Sequence, residues 1–292
     1  MTGSRSILCF GEILWDFLPA GLFPGGAPFN VAYHLKQLGQ EVSLLSGLGR
    51  DKLGDELVRR LDGWGIATDT ITFHSGLPTG TVVAKTGPNG DATYQITESV
   101  AWDQILITQD HVQVAQHSPA IVFGSLALRS NVNGAALDRM LQVLPESALR
   151  VFDVNLRAPY DNLNLVRERA RQATVLKLNA EEAARIVLNA DQEEPGSEEA
   201  LARALAHEFG CATVCITAGS RGAGLLEQDN WHWETGRPVD VMDTIGSGDA
   251  FLARLLAHLI SGDTSPAEAL ASACRHGEWV ASKFGATPPY SS

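Results

Sequence analysis

Short apolar runs alternate with helix-like segments along most of this chain, and this alternation is what most restricts the possible fold. A first run, Ile7–Phe10, ends at Gly11 and is expected to be a buried strand. A strand followed by a helix, repeated several times, predicts a mostly parallel sheet covered by helices on both faces. Four later runs continue the series, near residues 120–123, 150–154, 174–178 and 213–217.

The pattern changes period between residues 70 and 98. Two short β-prone runs, Gly80–Thr86 and Ala92–Thr97, flank the turn-forming residues 88–91, and together they predict a hairpin. Because a hairpin does not fit the series of strands and helices, we expect it to form a small added sheet.

Composition and charge exclude several classes of function. The chain has 292 residues, 45% of them hydrophobic and 19% charged, with a net charge of −12. This acidic balance argues against a nucleic-acid binder. No uninterrupted apolar stretch reaches membrane-spanning length, and the four cysteines are too few and too scattered for a disulfide scaffold. We therefore expect a cytoplasmic protein with reduced thiols that binds neither nucleic acid nor membranes.

A glycine-rich stretch, Asp243–Phe251, contains the candidate catalytic residues. Gly246 and Gly248 allow backbone conformations that other residues avoid, and apolar residues at helical spacing follow them as far as Gly262. The glycines therefore lie at a helix N-terminus, where unpaired N–H groups and the helix dipole favour a phosphate. A glycine turn that merely leads into a buried helix is the alternative.

Asp249 lies in the first turn of this predicted helix. A carboxylate is favourable there on electrostatic grounds alone. It would repel an anion bound beside it, but it can accept a proton from a hydroxyl group that attacks that anion. Phosphoryl transfer requires this combination of N–H donors and a proton acceptor. Asp249 is therefore the candidate catalytic base.

The same stretch resembles the carboxyl-terminal signature of the PfkB, or ribokinase-like, family of ATP-dependent sugar kinases. In that family a Gly-Ser/Ala-Gly-Asp run forms the anion hole, and its last residue is the catalytic base. The matching positions here are Gly246, Ser247, Gly248 and Asp249. One departure is Arg254, which stands where the family usually has a small residue.

Residues 24–30 resemble the amino-terminal signature of the family. There a Gly-Gly pair and an Asn contact the sugar, which implies Gly25, Gly26 and Asn30 as sugar contacts, although the glycines can also be simple turn formers. Asp16 is a separate candidate for binding a hydroxylated substrate, because ligands of open α/β sheets collect at the carboxyl ends of strands. A solvated loop aspartate is the alternative for Asp16.

Two further matches follow predicted strands. Asp153-Val-Asn-Leu-Arg157 resembles the Asp-x-Asn-x-Arg element of the family, which makes Asn155 and Arg157 candidates for contact with substrate or transferred phosphate. A structural ion pair is the alternative for Arg157. Asn179 and Glu182 match the Asn-x-x-Glu element, which implies Asn179 near the nucleotide phosphates and Glu182 holding Mg²⁺ through water. The same two residues fit a helix capping box, and both roles are compatible.

The resemblance places ATP on the last part of the chain. Residues 217–222 match a Thr-x-Gly-x-x-Gly nucleotide loop, which implies Thr217, Gly219 and Gly222 as contacts. The last long helix, predicted to begin at residues 265–268, leads to Gly285 on the adenine side. A monovalent cation such as K⁺ is implied near Asp243.

The resemblance runs from Gly11 to Ala286 and implies one ribokinase-like kinase domain over residues 1–292. The expected fold is a three-layer α/β/α sandwich with a mostly parallel central sheet and a small β-sheet lid, formed by about residues 12–28 and 70–100. In the family such a lid covers the sugar and sometimes forms a homodimer contact. The implied reaction is transfer of the γ-phosphoryl group of ATP to a sugar hydroxyl, and the motifs look most like those of fructokinases.

Other functions remain open from the residues. Within the kinases, 2-keto-3-deoxygluconate and ribose are alternative acceptors, because the motifs do not encode the lining of the sugar pocket. From another class, the chain can be a non-catalytic sugar or nucleotide sensor on this fold, against which the intact Asp249 argues. A nicotinamide-dependent dehydrogenase is disfavoured, because only Gly11 stands where its glycine fingerprint is needed.

Overall fold

A computed structural model describes residues 5–18, 21–86, 92–190 and 194–290. Its strands are β1 (Ile7–Phe10), β2 (Leu14–Leu18), β3 (Gly21–Gly25), β4 (Val42–Gly49), β5 (Ile71–His74), β6 (Gly80–Thr86), β7 (Ala92–Ile96), β8 (Ala120–Gly124), β9 (Leu149–Asp153), β10 (Val175–Asn179), β11 (Thr213–Thr217), β12 (Gly222–Glu227) and β13 (Asn230–Thr235). Its α-helices are α1 (Ala27–Gln37), α2 (Lys52–Gly63), α3 (Gln109–Ala115), α4 (Asn131–Val143), α5 (Leu163–Ala170), α6 (Ala180–Leu188), α7 (Glu198–Phe209), α8 (Ser247–Ser261) and α9 (Pro266–Ala281).

Most of these strands form one large sheet, in the order β13-β12-β11-β10-β9-β8-β1-β4-β5. The strands from β11 to β5 pair in parallel, and β12 and β13 add an antiparallel edge. Helices cover both faces, so the parallel strands are apolar on both sides. The predicted three-layer sandwich with a mostly parallel sheet is confirmed.

Alternate residues of the central strand β1 enter two separate cores. Leu8 and Phe10 pack on one face of the sheet with residues of α3 to α7, whereas Ile7 and Cys9 pack on the other face with α1, α2 and α8. This division follows from the two-residue period of a strand. Among the described residues, no helix is both long and apolar enough to cross a membrane.

The small sheet has the strand order β3-β2-β6-β7. The predicted hairpin is confirmed as β6 and β7, while the predicted turn at residues 88–91 lies outside the described residues. The second segment of the predicted lid, residues 70–100, was predicted to begin too early in the chain. Strand β5 pairs with β4 at the edge of the large sheet, and its Ile71 is buried in the core there. Because strands of both sheets have the same two-residue period, the local sequence does not show to which sheet this strand belongs.

The carboxyl ends of the parallel strands lie along one edge of the large sheet. Residues after β1, β9, β10 and β11 therefore face the same region, as expected for an open α/β sheet. Helix α8 begins at this edge and packs against both α1 and α9. The fold thus brings together the two glycine-rich stretches, residues 24–30 and 243–251, which are far apart in sequence.

Candidate active site

Helix α8 begins immediately after Gly246, as the sequence predicts. Gly246 is the N-cap residue and has a φ of +77°, in the left-handed region. A side chain at this position would be strained, and its Cβ would lie 2.5 Å from the Cβ of Ala286. The segment that contains Ala286 therefore presses directly against the start of α8, and only glycine fits between them.

Asp249 is buried in the first turn of α8 and contacts the other glycine-rich stretch. Its Oδ2 accepts a hydrogen bond of 2.8 Å from Nδ2 of Asn30, a residue 219 positions away on α1. Burial and the nearby Asp153 raise the pKa of Asp249 to about 6, although Lys177, the Asn30 bond and Arg157 act in the opposite direction. The predicted base is thus desolvated, oriented and ionised at neutral pH.

Two further carboxyl groups, those of Glu12 and Asp16, lie near Asp249. Burial raises the pKa of Glu12 to about 7, and its Oε1 accepts a 3.1 Å hydrogen bond from the N–H of Ala27 at the start of α1. Asp16 lies on β2 of the small sheet, not in a loop as its alternative interpretation held, and burial raises its pKa to about 6. Gly26 is sterically required, since its φ is +111° and a Cβ there would lie 2.4 Å from the Glu12 carbonyl oxygen, whereas a Cβ on Gly25 would displace the Asp16 carboxylate.

Asn155 and Arg157 follow β9 at the same edge. Asn155 is half-buried with a φ of +42°, and Arg157 is exposed and donates to the carbonyl of Leu156. Within the described ranges no ion pair involves Arg157, so its alternative role as a structural ion pair finds no support. The positive charge of Arg157 partly opposes the burial that raises the pKa values of Glu12, Asp16 and Asp249.

Asn179 and Glu182 form the capping box of α6. Asn179 Oδ1 accepts from the N–H of Glu182, and Glu182 Oε2 accepts from the N–H of Asn179, each at 2.8 Å. The other oxygen of Glu182 accepts a 2.7 Å hydrogen bond from Leu156 N–H, which fixes the segment after β9. Burial raises the pKa of Glu182. The capping role is therefore present.

A cleft of about 500 Å³ lies beside the α8 N-terminus. Five predicted site residues line it: Thr217, Gly219, Gly222, Ser247 and Gly248. Gly285, predicted for the adenine side, is not among the residues that line this cleft, and its role there stays a prediction. A Cβ on Gly285 would lie 3.0 Å from Cδ1 of Phe23 on the small sheet, and α9 lines the cleft instead, through Gly277 and Ala281.

Asp243 joins the two loops that flank the α8 N-terminus. Its Oδ1 accepts from the N–H of Ile245 at 3.0 Å, and its Oδ2 accepts from the N–H of Gly285 at 3.2 Å. Among the described residues, no group of three or more His, Cys, Asp or Glu side chains is arranged to hold a metal ion.

A family model for pfkB family carbohydrate kinases matches residues 20–292. The chain belongs to this family. It is therefore a carbohydrate kinase, an enzyme that transfers a phosphoryl group to a sugar. The predicted ribokinase-like fold and kinase class are confirmed.

Curated relatives agree with this assignment, and solved structures share the fold. The kinase is 28% identical over 269 residues to a fructokinase of Rhizobium leguminosarum bv. trifolii, covering 87% of this chain and 79% of the relative. A fructokinase double mutant of Vibrio cholerae O395, in a fructose, ADP and potassium ion bound form, superposes with a TM-score of 0.82 at 22% identity, covering 98% and 96% of the two chains. Aminoimidazole riboside kinase of Salmonella enterica, complexed with aminoimidazole riboside and an ATP analog, has a TM-score of 0.77 at 23% identity, with coverage of 97% and 95%.

Arg254 is accommodated in this kinase between helices. It is half-buried on α8, and its Nε donates a 2.9 Å hydrogen bond to Ser272 Oγ on α9. The departure from the usual small residue therefore affects the contact between α8 and α9, not the glycine-rich turn.

Three charged residues that act on Asp249 were given no role from the sequence: Glu12, Asp153 and Lys177. Lys177 lies on β10 and forms a buried ion pair with Asp153 on the neighbouring strand. The signal available was a lysine inside the apolar run Val-Leu-Lys-Leu, since an unpaired lysine is rarely buried. For Asp153 and Glu12, nothing in the local pattern separates a buried carboxyl group from one at an exposed strand end.

Proposed function

We propose that this kinase transfers the γ-phosphoryl group of ATP to a hydroxyl group of fructose, giving fructose 6-phosphate. The observation that supports it best is the buried hydrogen bond between Asn30 and Asp249. It joins the predicted sugar contact to the predicted base, so a hydroxyl bound by one is within reach of the other. The fructokinase of Rhizobium leguminosarum bv. trifolii, at 28% identity, supports fructose as the acceptor.

In this mechanism the sugar lies between the small sheet and α8. Asn30 Oδ1 is buried and has no hydrogen-bond partner among the described residues, so it is available to accept from a sugar hydroxyl. Asp16, beside Gly25, and the segment containing Asn155 and Arg157 are the other proposed sugar or phosphate contacts. Asp249 accepts the hydroxyl proton as the oxygen attacks.

Charge that develops on the transferred group is proposed to be stabilised by N–H groups of residues 246–249 at the α8 N-terminus. The lid of the small sheet excludes water, which favours transfer to the sugar over hydrolysis of ATP. ATP occupies the 500 Å³ cleft, with its phosphates toward Thr217, Gly219 and Gly222. Gly285 acts indirectly, by holding Asp243.

The residues present fit the proposed cations. Mg²⁺ prefers oxygen ligands and keeps most of its waters, so the Asn179 amide and the Glu182 carboxylate suit a water-mediated site. When bound, Mg²⁺ neutralises phosphate charge. The carboxylate of Asp243, fixed between two loops, suits a monovalent cation such as K⁺. The fructokinase structure from Vibrio cholerae O395 is in a potassium ion bound form, which supports K⁺ as the cation.

The acid limb of the pH profile should report Asp249. Because the pKa of this carboxyl is raised to about 6, kcat/KM for the sugar is expected to fall tenfold per pH unit below about pH 6. Removing the Asn30 hydrogen bond, which lowers the pKa of Asp249, should move the limb of Asn30→Ala to higher pH. Initial rates between pH 4.5 and 9 test both, and a flat profile down to pH 4.5 would contradict them.

Gly25→Ala is expected to weaken sugar binding. The added methyl group collides with Asp16 Oδ2, so the carboxylate must move. Loss of a hydrogen bond to a charged group predicts a fall in kcat/KM for the sugar of about 10- to 100-fold, with KM for ATP unchanged. Gly76→Ala is the matched control, because a Cβ there meets no atom within 4 Å. Equal effects of the two substitutions would refute the role of this contact.

A homodimer through the lid is proposed from one face of the small sheet. Leu22, Phe17 and Val83 are cross-strand neighbours on β3, β2 and β6, and all three are exposed. A row of exposed apolar side chains on adjacent strands is typical of a contact surface. Sedimentation equilibrium is expected to give a dimer that Phe17→Asp dissociates, and a monomer at every concentration would contradict the proposal.

The proposed reaction is tested by measuring ADP release from Mg-ATP with fructose, ribose, 2-keto-3-deoxygluconate, glucose and adenosine. We expect fructose to give the highest kcat/KM. A higher value with another sugar would replace fructose and leave the kinase intact. Binding of ATP or a sugar without ADP release from any of them would favour a sensor.

A further inference from the structure

Lys177 and Asp153 form a buried ion pair beneath the active site. The two residues are direct neighbours on the parallel strands β10 and β9. Lys177 Nζ lies 2.9 and 3.1 Å from the two carboxylate oxygens of Asp153. Their side chains are only 8% and 4% exposed. The pair is therefore almost completely removed from water.

Stability alone does not account for such a pair. Removing two charges from water costs free energy, and well-packed apolar residues of similar volume often stabilise a core equally well or better. The flanking residues of β10, Leu176 and Leu178, are of that apolar kind. We therefore look for the role of this lysine and aspartate in the active site, which lies next to them at the carboxyl edge of the sheet.

The ammonium group of Lys177 lies against the first turn of α8. A Cβ built on Gly248 would lie 3.3 Å from Lys177 Nζ, so glycine permits the close approach. Burial alone would lower the pKa of Lys177, but Asp153, Asp249 and Glu182 outweigh it and raise that pKa. The side chain is thus a permanent positive charge next to the proposed phosphate-binding turn.

Asp249 is surrounded by charges of both signs. The neutral Asn30 of α1 donates a hydrogen bond to it. The charged groups that act on it come from the large sheet, the segments that follow its strands and the small sheet: Asp153 of β9, Lys177 of β10, Arg157 after β9, Glu12 after β1 and Asp16 of β2. Lys177 and Arg157 therefore favour the ionised state of Asp249, whereas its burial and Asp153 oppose it.

We propose that Lys177 is a positioning residue of this active site, held by Asp153, whose ammonium group supports the first turn of α8 and favours the ionised carboxylate of Asp249. The inference rests on the proposed function, in which Asp249 is the base. It assigns opposite effects to the two partners, because Lys177 stabilises the negative charge on Asp249 and Asp153 opposes it.

The test is the titration of Asp249 in the unliganded kinase, followed by the carboxyl ¹³C signal of labelled aspartate that is missing in Asp249→Asn. Lys177→Met, which keeps the side-chain length without the charge, is expected to raise the Asp249 pKa by about one unit. Asp153→Asn is expected to lower it by about one unit. The acid limb of kcat/KM should move in the same two directions.

Opposite shifts support the proposal, because a purely structural pair has no reason to produce them. Shifts of the same sign, or no shift in either variant, overturn it. If circular dichroism shows that Lys177→Met does not fold, Asp153→Asn and Lys177→Arg decide: the first must lower the pKa, and the second, which keeps the charge, must leave it unchanged. Activity retained in Asp249→Asn would instead refute the proposed base, and the titration would stay a separate result.

Discussion

Asp249→Asn is expected to lower kcat by about 10²- to 10⁴-fold, because the amide cannot accept the proton of the attacking hydroxyl. The substitution keeps the size of the side chain, and its Oδ1 can still accept the hydrogen bond from Asn30 that is 2.8 Å long in the unsubstituted protein. Binding of sugar and ATP should therefore change little. The measurement is kcat and KM at pH 8, with Asp62→Asn, an exposed aspartate on α2, as the matched control.

The same variant should not be less stable than the unsubstituted protein. Folding raises the pKa of Asp249 from 3.8 to about 6, so its stabilising contribution is complete below about pH 3.8 and is lost as the pH rises through 6. A neutral asparagine does not incur that loss. At pH 8 the thermal midpoint of Asp249→Asn is expected to equal or exceed that of the unsubstituted protein. Near-normal turnover would remove Asp249 as the base, and a lower midpoint would contradict the desolvation argument.

Gly246→Ala is expected to affect both stability and catalysis. The residue has a φ of +77°, and the new Cβ would lie 2.5 Å from the Cβ of Ala286. Left-handed strain costs about 1–3 kcal/mol. Relief of the collision must move the start of α8, where the proposed N–H donors lie. Displacing one such donor lowers kcat by about 10²- to 10³-fold.

Gly262→Ala separates these two effects. Gly262 ends the same helix with a φ of +66°, and a Cβ there meets no atom within 4 Å. It should incur the strain alone, with a lower thermal midpoint and normal kcat. Chemical denaturation and initial rates on both variants test this. Equal kcat values in Gly246→Ala and Gly262→Ala would show that the turn at Gly246 is not part of the catalytic geometry.

Much of the fold could be predicted from local patterns. The apolar runs specified the strands from β8 to β11 within one residue at each end, because buried parallel strands are continuous apolar segments. The glycine-rich turn specified the start of α8, since few residues other than glycine adopt its φ. The capping boxes at Asn179 and Ser265 are also local, because each joins two residues that are three positions apart.

Residues whose position depends on a distant partner were harder to predict. The lid was predicted to begin at about residue 70, but residues 71–74 pair with β4 in the large sheet. Gly285 donates a hydrogen bond to Asp243, which is 42 positions away and which no local pattern indicates. Lys177 was passed over, because its partner Asp153 lies on a different strand.

The sequence by itself determined the succession of strands and helices, the glycines that start α8 and the family-like motifs, because each depends on spacing over a few residues. Only the tertiary structure decided how the charges are paired. It brings Asn30 to Asp249 across 219 residues and Lys177 beneath Gly248, and it places the buried Glu12 and the half-buried Asp16 near the same site. The pKa values of these groups depend on desolvation and on neighbouring charges, which are properties of the packed chain and not of any local segment.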